Sequence, residues 1–388
     1  MPAPLPQARL DDRQRLACLR LIRSDNVGPA TFRALINHFG GAETALAALP
    51  ELARRGGGRA PRICTADRAE AELARAAKVG AQPIFTIEPG YPPLLAEIEP
   101  PPPMLYVRGR LELMTRPMVA IVGARDGSAA GQTLARRFAI ALGRAGYVVA
   151  SGLARGIDGA AHEAAMATGT VAVLAGGIDV VYPPEHADLH ARIGVAGCLV
   201  TEMPPGFTPR GQDFPRRNRI ISGVSFGVLV VEAARRSGTL ITARMAAEQG
   251  REVFAIPGHP LDPRAEGTNH LLKTGAILVT EAEDIITALA PMHAPTLPLP
   301  MRTEVQALEA PPAAAAPHPP TLLSGASVAE RVWSALGAAP VDIDVLGRAT
   351  GFPAREIQVA LLELDLAGRL TRHSRHLVSR AIEEGGPH

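Results

Sequence analysis

Between residues 118 and 288 the chain repeats one pattern, a short apolar run rich in Val and Ile followed by a helical stretch. The runs are 118–122, 147–151, 171–174, 198–201, 227–232, 253–256 and 276–279. Strands that are apolar along their whole length are buried on both faces, and helices between them make the strands parallel. The fold class that follows is α/β, an extended Rossmann-type doubly wound sheet. Ligands of such sheets sit beyond the carboxyl ends of the strands.

The flanks read differently. Residues 1–80 are short helices broken by glycine. Within them "NVGPATFRALINHFGG" (26–41) places Phe32, Leu35, Ile36 and Phe39 at helical spacing after a Val-Gly-Pro turn. This predicts a helix-hairpin-helix or SAM-like domain, whose turn either offers backbone N–H groups to a phosphate or only packs. Residues 81–117, with Pro100–Pro103, read as a proline-dense connector to the sheet domain at 118–289. A Pro/Ala-rich linker is expected at 290–324, mobile by composition. Residues 325–388 pattern as three helices and a short hairpin, a winged-helix-like domain. Its third helix, "AREIQVALLELDLA" (354–367), is acidic and apolar with one arginine. Base reading needs donors, so protein contact or weak DNA contact is expected of it.

No apolar run reaches the ~18–20 residues of a membrane span. The N-terminal stretch has no signal-peptide core. Cys18, Cys64 and Cys198 are scattered and make neither a disulfide framework nor a metal spacing. A cytoplasmic protein without membrane or metal is expected. The net charge of +2 argues neither for nor against nucleic acid. Of 40 basic residues, however, only Lys78 and Lys273 are lysines, so phosphate contacts fall to arginine forks.

Four polar loops fall where strands end. "IVGARDGSAAGQ" (121–132) carries Gly123, Gly127 and Gly131, which permit close backbone approach and positive φ, together with Ser128. It resembles a phosphate loop, but Arg125 stands where the dinucleotide fingerprint needs glycine. "SGLARGIDGAAH" (151–162) supplies Ser151, Gly152, Arg155 and Gly156. Its Asp158 and His162 share a helix face without a third ligand, so capping or hydrogen bonding is expected of them. "FPRRNR" (214–219) joins a ring, Phe214, to Arg216, Arg217, Asn218 and Arg219, the combination from which non-specific single-strand binding is built. "EAARRSGTLITA" (232–243) opens a helix at Ser237, Gly238 and Thr239, with Arg235 and Arg236 just upstream. Four such loops on one sheet edge imply a groove for several phosphates. There is no Walker A motif, since Leu272 precedes Lys273-Thr274. No nucleophile elbow or carboxylate pair is evident either. No catalytic residue and no cofactor is expected.

The segments "VAIVGARDGSAAGQ", "VVASGLARGIDGAAH", "VAVLAGGIDVVYP", "FPRRNRIISGVS", "VVEAARRSGTLITA", "VFAIPGHP" and "GTNHLLKTGAILV" run in the order of the DNA-processing protein A (DprA/Smf) family, which this chain resembles over roughly 90–290. "YPPLL" (91–95) and "PPMLYVRG" (102–109) precede them as they do there. The resemblance implies a single-stranded DNA-binding protein that protects incoming DNA and loads the RecA recombinase in natural transformation and recombination, without enzymatic turnover. It assigns the loop arginine to Arg125 and the FPxRNR motif to Phe214, Arg217, Asn218 and Arg219. It implies a homodimer formed through about 253–288. One departure is that members commonly have a lysine after the "YP" of the third strand's loop, whereas this chain reads "YPPEH" (182–186). Arg192, Arg210 and Arg216 are the candidate substitutes. A rival reading is an enzyme resembling the cytokinin-activating nucleoside-monophosphate phosphoribohydrolases. Their "PGGxGTxxE" motif is not matched by "EAARRSGTLITA", where Thr242 stands in place of the glutamate. A third reading is a scaffold for RecA-type partners.

Overall fold

The computed structural model describes residues 10–58, 61–293, 327–373 and 376–381. The expected linker lies outside the described residues from 294 onward. Four helices come first, α1 (Asp12–Ile22), α2 (Pro29–Phe39), α3 (Ala42–Arg55) and α4 (Ala66–Lys78). The sheet region follows with β1 (Gln82–Phe85), α5 (Pro93–Glu97), β2 (Met104–Gly109), β3 (Met118–Val122), α6 (Ala129–Arg144), β4 (Val148–Ser151) and α7 (Ile157–Ala165). It continues through β5 (Thr170–Val173), α8 (Ala187–Ala196), β6 (Cys198–Thr201), α9 (Asp213–Gly223), β7 (Gly227–Val230) and α10 (Gly238–Glu248). It ends with β8 (Glu252–Ala255), α11 (Glu266–Lys273), β9 (Ile277–Leu278) and α12 (Ala282–His293). The last described stretch holds α13 (Val328–Ala335), β10 (Val341–Asp342), α14 (Ile343–Thr350), α15 (Ala354–Leu366), β11 (Leu370–Arg372) and β12 (Leu377–Arg380).

These elements form two compact units, one of Met1–Arg23 and Cys64–Met292, the other of Ser24–Ile63 and His293–His388. The first is built on a nine-stranded sheet in the order β1-β2-β6-β5-β4-β3-β7-β8-β9. Strands β3 to β9 are parallel, and β2 runs antiparallel to both β1 and β6. Successive residues of β3 serve opposite cores, Met118, Ala120 and Val122 on one face and Val119 and Ile121 on the other. Burial on both faces is why these strands read as unbroken apolar runs. The stretch 81–117, expected as a connector, adds two strands to the sheet. Its prolines hid them. Pro83 is tolerated because β1 is an edge strand, and Pro100–Pro103 end before β2 begins.

Within the sheet's unit, a buried carboxylate ties α1 and α4 to β2. Glu72 on α4 is 6% exposed. It accepts from Arg23 (2.8 Å) and from the Tyr106 hydroxyl of β2 (2.7 Å). A carboxylate that deep is tolerable only when paired.

In the second unit α15, the third helix of the winged-helix domain, meets α2 and α3. The Thr31 hydroxyl donates to Asp365 (2.7 Å), Asn26 Nδ2 to the Leu366 carbonyl (2.9 Å), and Arg369 Nη1 to the Gly56 carbonyl (2.9 Å). A Cβ on Gly56 would lie 2.1 Å from the Glu363 carbonyl oxygen, so only glycine permits this approach. Leu361, Leu362, Glu363, Leu364 and Leu366 are all buried. The partner of the acidic, apolar helix is thus the helical hairpin of the same unit.

Candidate functional site

The parallel strands β3 to β9 end on one edge, and the sequence-predicted residues gather there. A pocket at that edge is lined by Arg125 from the β3 loop, Gly152 and Arg155 from the β4 loop, Tyr182 from the β5 loop, and Phe214 and Arg217 from α9. The exposed guanidinium of Arg125 lies over the Phe214 ring, 5.5 Å from its centroid. The Tyr182 ring stands 5.0 Å from Phe214, tilted by 51°. A cation and two aromatic faces therefore line the mouth of the pocket. Tyr182 is 45% exposed. Nothing in the sequence pairs it with Phe214, because they lie on different elements. An aromatic residue in a loop on the ligand edge was the available signal.

Several expected ligand contacts turn out to be internal ties. "FPRRNR" is not a loop but the first turns of α9. Arg217 is 7% exposed. Its Nη1 donates to the carbonyls of Gly152 (2.7 Å) and Val173, and its charge faces Asp158. Burial pulls the Arg217 guanidinium down to about 10. Burial likewise pushes the Asp158 carboxyl up, with Arg217 and the N–H groups of Gly152 and Ala154 opposing it. Gly152 is required here, since a Cβ would lie 2.8 Å from Arg217 Nη2 and 3.0 Å from Asp158 Oδ2. Arg216 and Arg219 both pair with Glu202, at 2.9 and 2.5 Å, and the Glu202 side chain is 8% exposed. Asn218 reaches the Gly238 carbonyl at 3.5 Å.

Ser151 is fully buried and donates to the Ile121 carbonyl (2.6 Å), so its hydroxyl has no ligand face. His162 is also fully buried. Its Nδ1 meets the Thr170 hydroxyl at 2.7 Å, its Nε2 has no partner among the described residues, and burial pulls the ring down to about 3. Asp158 and His162 are thus separate core residues, the first bonded to Gly152 and Ala154 and the second to Thr170. Among the described residues no group of His, Cys, Asp or Glu is placed to hold a metal ion.

The glycines of the first loop serve packing. Gly123, Gly127 and Gly131 do not adopt positive φ, contrary to one of the two roles expected of them. A Cβ would meet Ile157 at 2.6 Å from Gly123 and 2.9 Å from Gly127, and the Glu232 carboxyl group at 2.5 Å from Gly131. Gly156 does take positive φ, +73°, beneath the Ala124 and Arg125 carbonyls. Ser128 caps α6 and Ser237 caps α10, while the Thr239 hydroxyl donates to the Gly123 carbonyl (3.0 Å). Gly238 is exposed beside them. Arg155 pairs at the surface with Glu185 (3.5 Å), within the "YPPEH" segment. Of the three candidate substitutes for a lysine there, Arg192 pairs with Asp188 (2.7 Å) and Arg216 with Glu202. Arg210 is exposed.

Among the described residues no helix is long and apolar enough to cross a membrane. The family model of the DNA recombination-mediator protein A matches residues 82–290, that of the DprA-like N-terminal HHH domain 12–76, and that of the DprA winged helix domain 310–374. Protein Smf of Escherichia coli (strain K12) is 43% identical over 288 residues, 72% of this chain and 72% of its own length. DNA processing protein DprA of Streptococcus pneumoniae is 44% identical over 207 residues, 53% of this chain and 73% of its own. The X-ray structure of the Streptococcus pneumoniae protein superposes with a TM-score of 0.62 at 33% identity, covering 72% of this chain and 98% of that one. A structure of DNA processing protein A from Helicobacter pylori, solved to explain its single-stranded DNA binding mode, gives a TM-score of 0.50 at 27% identity, with 55% and 96% covered. With the central model alone matching more than half of the sequence, the chain belongs to the DNA-processing protein A (DprA/Smf) family.

Proposed function

We propose that this protein binds single-stranded DNA along the carboxyl edge of its sheet, protects it, and loads the RecA recombinase onto it. The observation that carries the reading is the cluster of Arg125, Phe214 and Tyr182. Sequence-independent capture of a single strand needs a cation for the phosphodiester and ring faces for the bases, and these three residues supply both at one pocket mouth. Arg125, Arg155, Arg235 and Arg236 are exposed on the loops of this edge and Arg210 on the loop before α9, and they extend the cationic track. The Helicobacter pylori relative, described for its single-stranded DNA binding, supports the same ligand class. A homodimer through about 253–288 is part of the proposal, supported by Leu261 and Leu278, which are 86% and 54% exposed in that segment. The hydrolase reading gains no support from Thr242, which is 2% exposed on α10.

The test is fluorescence anisotropy of labelled oligo-dT across a salt series, wild type beside Arg125→Ala. A charge-assisted contact contributes roughly 1.5–3 kcal/mol, so the variant should bind more than about tenfold more weakly, with a shallower salt slope. Absence of binding by the wild type at low salt would overturn the proposal. RecA loading is then read as faster recombinase assembly on strands pre-coated with single-strand-binding protein.

A further inference from the structure

Ser128 and Gly131 are the residues with which the β3–α6 loop would hold an anion, and the chain itself occupies them. The Ser128 N–H donates to Glu232 Oε2 at 2.9 Å, the Ser128 hydroxyl to Glu232 Oε1 at 2.5 Å, and the Gly131 N–H to the Ser128 hydroxyl at 2.9 Å. Glu232 follows β7, the strand paired with β3, so its carboxylate bridges two neighbouring loops. It is half-buried and stands at the start of α6, where helix dipole and unsatisfied N–H groups favour negative charge. A Cβ on Gly131 would lie 2.5 Å from the Glu232 carboxyl carbon, so glycine is what leaves room for that carboxylate.

We propose that Glu232 determines ligand class at this edge. Its carboxylate fills the position a terminal phosphate would take, and a phosphate monoester is excluded there by occupancy and by like charge. Phosphates are left to Arg125, which lies outside this position, and to the other exposed arginines of the edge. That suits the internal diesters of a strand and not a free nucleotide or a phosphorylated end. The answer to the phosphate-like look of the loop is that it does hold an anion, and that the anion is Glu232. The choice of strand interior over strand end rests on the single-stranded DNA reading above. The exclusion of free phosphate does not.

The experiment uses the full chain as wild type, Glu232→Ala and Glu232→Ser. The serine variant opens the same space while keeping a small polar side chain, and provides a second background should the alanine variant fail to fold. Thermal unfolding is followed with inorganic phosphate against chloride of equal ionic strength. The wild type should show no phosphate-specific shift. A folded variant should gain about 3 °C once phosphate reaches ten times its Kd. Anisotropy with 5′-phosphorylated and 5′-hydroxyl oligo-dT should give equal affinities for the wild type and a preference for the phosphorylated end in the variants. A phosphate response by the wild type, or none by a folded variant, overturns the proposal. Wild type that ignores both oligonucleotides would refute the single-strand reading while leaving the phosphate result to stand.

Discussion

Replacing Arg217 by methionine tests whether the FPxRNR arginine holds the site together or touches its ligand. The side chain is 7% exposed and loses two charge-assisted bonds, to Gly152 and Val173. It also leaves Asp158, 5% exposed, without its cation. Stranding one member of a buried charge pair costs about 3–5 kcal/mol. Here Asp158 keeps the Gly152 and Ala154 N–H groups at 3.1 and 3.3 Å. It also protonates more readily than usual, so the lower end, about 3 kcal/mol, is expected. Asp158→Asn leaves Arg217 with its carbonyl partners and should cost less. The double variant should fall short of the sum by about 1–3 kcal/mol, because both members of the pair are then gone. Urea unfolding followed by far-UV circular dichroism gives these values, and oligo-dT anisotropy on the same samples gives affinity. Refutation would be a loss under about 1 kcal/mol together with a collapse of affinity, since that combination belongs to an arginine that meets the strand.

Other consequences follow from the same contacts. The His162 ring is held near 3 against an ordinary 6.5, so between those values unfolding takes up a proton. The stability it contributes is whole above about pH 6.5 and is lost as pH falls toward 3, by at most about 1.4 kcal/mol per unit. The gap in urea midpoint between wild type and His162→Gln should therefore narrow from pH 7 to pH 5, and a constant gap would count against the assignment. Trp333 is the sole tryptophan, and Arg369 lies 4.0 Å over its ring while donating to Gly56. Arg369→Ala should shift its emission to the red, raise acrylamide quenching and cost about 2 kcal/mol, whereas unchanged emission would mean that the stack is absent in solution. Deleting residues 294–388 should leave oligo-dT affinity within about twofold, because the acidic α15 offers few donors for phosphate. It should also lower the solubility of the N-terminal part by uncovering the surfaces of α2 and α3. A near-total loss of binding would place the strand on the deleted segment.

The seven parallel strands were legible in the sequence because burial on both faces forces an unbroken apolar run, a local property readable one strand at a time, whereas β1 and β2 were not. The start of α10 at Ser237 was legible for the same reason, since a helix start is decided within four residues. Arg125 and Phe214 were recognisable as ligand-facing types, and they do meet at one pocket. The fate of each polar side chain was not legible. Arg217 and Ser151 have the composition of phosphate contacts, yet one is spent on Gly152, Val173 and Asp158 and the other on Ile121. Glu232 carries no motif that distinguishes it from a solvated acid, and only the pairing of β3 with β7 delivers it to Ser128. Nor does any periodicity join Thr31 to Asp365 from opposite ends of the chain. Periodicity and capping are fixed by neighbours in sequence. Which cation meets which anion is fixed by neighbours in space, and the desolvation that makes those pairings obligatory exists only once the fold has formed.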